Sequence, residues 1–92
     1  MNAIGSAATI RSKKACVVYD AETGRVWHVH RVVTFDGGRE PSDAEVAADA
    51  LRALRSLHAG LGALETLRVD HDELKPGKRY RVDVDKKTLL QS

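Results

Sequence analysis

The sequence is poor in cysteine, aromatics and proline, and it has no long apolar run. Cys16 is the only cysteine among 92 residues, which excludes an internal disulfide and any cysteine-rich zinc motif and suits a reducing compartment. Aromatic residues make up 4% of the chain, few for a platform that stacks bases. The formal charge of +2, from 15 basic and 13 acidic side chains, is too weak to imply nucleic acid by itself. No apolar run approaches the roughly 20 residues of a membrane helix. In the opening "MNAIGSAATIRSKK" the positive charges follow the small residues, the reverse of a secretory signal. The "KKA" before Cys16 does not suit a lipid-anchored cysteine either. The expectation is a cytoplasmic protein with no membrane partner.

What is present is pattern. A hydrophobic content of 42% against 30% charged residues, arranged in alternating and helical periods, marks a folded chain rather than a disordered one. At this length it makes one domain, residues 12–90, preceded by a loose arm at residues 1–11 of Gly, Ala, Ser and Thr without a period. "KACVVY" at residues 14–19 is rich in β-branched and aromatic residues and predicts a strand. "DAETG" at 20–24 is turn chemistry, with Gly24 suited to positive φ. A second strand runs from Arg25 to about Thr34, closing a β-hairpin.

"FDGGREP" at 35–41 predicts a loop, and "SDAE" at 42–45 is a capping box in which Ser42 and Glu45 satisfy each other's backbone amides. Val46, Ala47, Ala50, Leu51, Leu54 and Leu57 then recur at spacings of three and four, the apolar stripe of an amphipathic helix over residues 43–59. Gly60 supplies its C-terminal stop. "LETLRVD" at 64–70 predicts a third strand, and "HDELKPGK" at 71–78 a turn or short helical connection. "RYRVDVD" at 79–85 alternates as a fourth strand, and "KKTLLQS" offers a short addition. The fold class is α+β: a small β-β-α-β-β sandwich, one amphipathic helix packed on one face of a mainly antiparallel sheet of about four strands.

An uninterrupted hairpin register sets Val18 opposite Trp27, Cys16 opposite Val29 and Val17 opposite His28. Cys16, Val18, Trp27, Val29 and Val33 then share one face, and Val17, Tyr19, Val26, His28, His30 and Val32 the other. One helix stripe covers one face. The Trp27 face, with Leu67, Val69, Tyr80, Val82 and Val84, is the expected core, and the histidine face, joined by Arg68, Arg79 and Arg81, the expected open surface.

His28 and His30, at i and i+2 of a strand, point the same way and have the spacing of a metal-ligand pair, with "DHDE" at 70–73 as a further source of ligands. No third ligand is fixed by the sequence, so the plainer reading is two partly exposed imidazoles. With Cys16 assigned to the opposite face, no thiol–imidazole pair forms. His58 sits where a helix C-terminus favours a cation. The carboxylates Asp70, Asp72 and Glu73, and Asp83 with Asp85, belong to turns and solvated faces, and the glycines match no phosphate loop. The reading therefore assigns no catalytic residue, no metal and no cofactor. It expects a small non-enzymatic interaction module using an exposed sheet face or edge strand. Its partner is another protein or a second copy, met by Tyr19, Val26, His28, His30, Val32, Arg68, Arg79 and Arg81. The alternatives are a single-stranded nucleic-acid binder using a basic sheet face, and a histidine-based metal protein.

Overall fold

A computed structural model describes residues 9–58 and 60–92. Of the loose arm expected at residues 1–11, residues 1–8 lie outside the described residues. The elements are β1 (Ile10–Asp20), β2 (Val26–Phe35), α1 (Asp43–Leu57), β3 (Leu64–Val69), a short 3₁₀ turn (His71–Glu73), β4 (Tyr80–Asp83) and β5 (Thr88–Gln91). The class is α+β as expected. Among the described residues, five strands are divided between an antiparallel three-stranded sheet of order β2-β1-β3 and a separate β4-β5 hairpin.

The first strand begins earlier than its composition suggests, so Ile10 and Arg11, expected in the arm, belong to β1, with Ile10 paired to Phe35. More important is its middle. Ala15, Cys16, Val17, Val18 and Tyr19 are all buried, none more than 3% exposed. A strand wetted on one side alternates buried and exposed; five consecutive buried residues require cover on both faces. Val46, Ala50 and Leu54 of α1 cover Cys16 and Val18 on one side, joined by Trp27, Val32, Leu51, Leu61 and Leu64. On the other side Ala15, Val17 and Tyr19 pack with Val69, Leu74 and Val82, joined by Val26, Val29, Leu67, Tyr80, Val84 and Leu89. The molecule has three layers: helix, sheet, hairpin.

This corrects two expectations. The face bearing Val17 and Tyr19 is not open, because the β4-β5 hairpin lies over it instead of extending the sheet edgewise. The hairpin register is also one residue from the uninterrupted one. Tyr19 pairs with Val26 as expected, but Val18 faces His28, Val17 faces Val29 and Cys16 faces His30, with an irregularity between Val18 and Tyr19. Trp27 is the extra residue of a bulge. Inserting it turns the rest of β2 over: Val29 now points to the hairpin side, while His28 and His30 join Cys16 and Val18 on the helix side.

The helix starts as its sequence requires. The Ser42 hydroxyl accepts from the Glu45 amide at 3.1 Å and the Glu45 carboxylate accepts from the Ser42 amide at 3.0 Å. Arg39 also donates to Glu45, and these bonds bring its carboxyl down to about 2. The helix ends at Leu57 with His58 as its cap, short of the expected residue 59. Leu57, counted in the apolar stripe, is 73% exposed.

The hairpin layer is clasped to the sheet at the first turn. Gly24 has φ +81, and a Cβ there would overlap the Val82 carbonyl oxygen. Its own carbonyl accepts from the Val82 amide at 2.8 Å. Only glycine combines that dihedral with that approach. Gly37 shares the positive φ, at +86, but has nothing within 4 Å. Gly37→Ala therefore introduces backbone strain alone, on the order of 1–3 kcal/mol, while Gly24→Ala adds steric exclusion of β4. Urea unfolding is expected to show a clearly larger loss for Gly24→Ala; equal losses would mean that the clasp contributes nothing.

Candidate functional site

The eight residues singled out in the sequence do not share a surface. Tyr19 is 1% exposed and sits inside the hairpin-side core, its hydroxyl 3.4 Å from the Lys87 ammonium. Val26 lies on that same side, half-buried, while His28, His30 and Val32 are half-buried on the helix side. Arg68 is on the helix side too, its guanidinium 3.1 Å from Asp43. Arg79 and Arg81 belong to the hairpin layer. The expected basic, histidine-bearing face is thus split between two layers, and its central tyrosine is not available to a partner.

What the fold does bring together is a cleft beside β2. Arg25 and Arg81 form a single antiparallel bridge, so β4 begins to pair with the outer edge of β2. The two strands then separate. The space between them is an open cleft of about 660 Å³, with Val26, Val29 and Tyr80 as apolar surface and Arg25, Lys78, Arg79 and Arg81 as its charged lining; Thr23 and Ser92 complete it. No carboxylate side chain lines it. Arg79 and Arg81 are carried over from the sequence reading, and Lys78 belongs to a basic cluster visible there. Arg25 is new: standing between a turn glycine and a strand, it carries no sign of its role until β4 is placed against it.

Two of the cleft's cations, Arg25 and Arg81, are held in place without being neutralised. The Arg25 guanidinium lies 4.2 Å from the centre of the Trp27 ring, a cation–π contact that fixes the side chain without cancelling its charge. Arg81 donates to the Thr23 carbonyl at 2.9 Å. Elsewhere Lys14, Arg39, Arg52, Arg68 and Lys87 each meet a carboxylate. Among the described residues none of the four cleft cations does. Like charges directly opposite across strands are destabilising, and the Arg25–Arg81 bridge places two together with no counterion.

The outer edge of β2 continues from this cleft without a strand beside it among the described residues. Beyond Val29 the hairpin-side positions are Arg31, Val33 and Phe35, and Val33 and Phe35 are among the exposed large apolar side chains, at 40% and 48%. One edge therefore reads basic at its start and apolar at its end. The tyrosine in the cleft offers its ring only. Its hydroxyl donates to the Glu73 carbonyl at 2.9 Å and accepts from the Lys75 amide at 2.7 Å.

On the other side of the same strand, His28 Nε2 and His30 Nδ1 are 3.4 Å apart. Burial, and secondarily repulsion from His30, hold the His28 imidazolium below its usual range. Cys16 faces His30 across the strands, correcting the expectation that it lies on the opposite face. Its thiol is directed to the Val46 carbonyl at 3.9 Å, and burial raises its pKa, so it stays a protonated, inert thiol. Among the described residues no group of three or more His, Cys, Asp or Glu side chains is placed to hold a metal ion, and no helix is long and apolar enough to cross a membrane. Comparison with protein-family models, with curated proteins and with solved structures finds no match.

The histidine pair gives the fold a pH dependence of definite sign. Because the folded state protonates His28 less readily than the unfolded chain does, no stability is lost above the usual histidine value of 6.5. Below it, the unfolded state takes up the proton first and stability falls until the folded imidazole also titrates. The urea midpoint is expected to drop between about pH 7.5 and pH 5.5, and to drop less in His28→Gln. Identical profiles for the two proteins would show that His28 is not the group responsible.

Proposed function

We propose that the chain is a non-enzymatic interaction module that receives an extended, acidic segment of a partner protein along the outer edge of β2. The observation that carries this reading is the divergence of β4 from β2 after the Arg25–Arg81 bridge. It leaves a cleft lined by four cationic residues and by no Asp or Glu side chain. An unpaired strand edge supplies backbone donors and acceptors that any extended chain satisfies. Selectivity then comes from side chains: carboxylates over Arg25, Lys78, Arg79 and Arg81, and apolar residues over Val33 and Phe35.

β3 is the sheet's other edge. It is shorter, six residues against ten, and its exposed cation Arg68 is already paired with Asp43. Single-stranded nucleic acid is the other anionic partner to consider. Its binding would use a continuous basic face with an accessible aromatic ring, whereas Tyr19 is buried and Arg68 lies on a different layer from Arg79 and Arg81.

Trp27 is the only tryptophan and its ring carries the guanidinium of Arg25, a cleft-lining residue, so its fluorescence responds to what engages Arg25. Titration with a synthetic peptide of alternating Val and Glu is expected to give a saturable change that weakens as salt is raised. The double variant Lys78→Glu/Arg79→Glu should lose at least about tenfold in affinity, equivalent to about 1.4 kcal/mol. Equal binding of a Val and Gln peptide, or tighter binding of an oligonucleotide of the same charge, would refute the acidic-segment reading.

A further inference from the structure

The histidine pair is unused by the cleft, since it lies on the helix side of β2 while the cleft opens on the hairpin side. We propose that His28 and His30 are half of a tetrahedral zinc-type metal site, completed by the same two histidines of a second copy paired edge to edge through β2.

The first support is the spacing of the two nitrogens. A tetrahedral zinc ion binds each imidazole nitrogen at about 2.0–2.1 Å, which sets two such nitrogens about 3.3–3.4 Å apart. His28 Nε2 and His30 Nδ1 are separated by 3.4 Å, with ring planes inclined at 43°. The pair already has the bite of a chelate, and a metal ion replaces the hydrogen bond that joins them.

The second support is what the single chain lacks. Two ligands do not make a zinc site, and among the described residues no third His, Cys, Asp or Glu joins them. Cys16, the nearest candidate across the strands, is turned to the Val46 carbonyl. The missing ligands must come from outside, and the pair stands on an edge strand.

The third support is register. The pairing of β2 with β1 is regular through His28, Val29 and His30, which face Val18, Val17 and Cys16 in turn. An antiparallel copy of β2 related by a two-fold axis at Val29 sets His28 against the second copy's His30, and His30 against its His28. Directly opposed residues have Cβ atoms about 4.5–5.5 Å apart and share a face, so all four imidazoles converge. A regular pairing of this kind is centred on His28, Val29 and His30 and stops short of the Trp27 bulge and of Arg25, whose outer side Arg81 occupies.

The test is zinc chloride titration of protein purified without a histidine tag, followed by sedimentation velocity and by the ratio of bound zinc to protein. The expected result is a dimer containing one zinc ion per two chains, reversed by EDTA. His28→Ala and His30→Ala should each abolish zinc-dependent dimerisation while keeping the wild-type circular dichroism, and His58→Ala should leave it intact. A one-to-one complex of monomer with zinc, a dimer that forms equally in EDTA, or dimerisation retained by the His28→Ala/His30→Ala variant would overturn the proposal.

Discussion

Everything in this molecule depends on burying β1 from both sides. Val17 and Val18, adjacent in sequence and fully buried on opposite faces, each lose on the order of 1.5–3 kcal/mol if their cover is removed. No single layer covers both. The helix provides one roof and the β4-β5 hairpin the other, and the two hydrophobic clusters meet only through the strand between them. With β1 central, β2 and β3 become edges by necessity. The properties of β2 as a surface follow from that position.

The same constraint creates the cleft. The hairpin must reach over Val17 and Tyr19 to close the second cluster, so it is anchored at Gly24, where the backbones touch. From there it crosses the sheet instead of following β2. Pairing therefore fails after Arg25, and the gap is lined by whatever β2 and β4 carry. Here that is a set of cations without counterions beside apolar Val26 and Val29. The bulge at Trp27 sends His28 and His30 to the opposite face, so one strand edge presents two chemistries. An acidic segment and a second copy of β2 need the same backbone groups. The two proposed partners exclude one another, and metal availability would decide between them.

The helix was the most legible part of the fold. Its capping box, its stripe from Val46 to Leu54 and its stop near residue 58 are all local signals, and they act locally in the structure. The hairpin was legible in position but not in register. Trp27 is compatible with either face, and only the register of β2 on β1, with Val29 in the hairpin-side cluster, shows that it is the extra residue. The unbroken run "ACVVY" carried the decisive signal of two-sided burial, and alternation in β2 and β4 obscured it. The cleft had no sequence signature, since Arg25 and Arg81 are 56 positions apart in the chain and only the Gly24 contact brings them together. Arg79 and Arg81 were recognisable as part of a basic cluster, but not as facing Arg25.

The most direct measurement is amide hydrogen exchange of the protein with and without a saturating acidic β-forming peptide. Amides in β1 from Ala15 to Tyr19 should be the slowest in both states. With peptide, added protection is expected at alternate amides of β2 beyond Val26, those pointing away from β1, and none along β3. Protection appearing on β3 or on α1, with β2 unchanged, would contradict the claim that the edge of β2 is where this protein meets its partner.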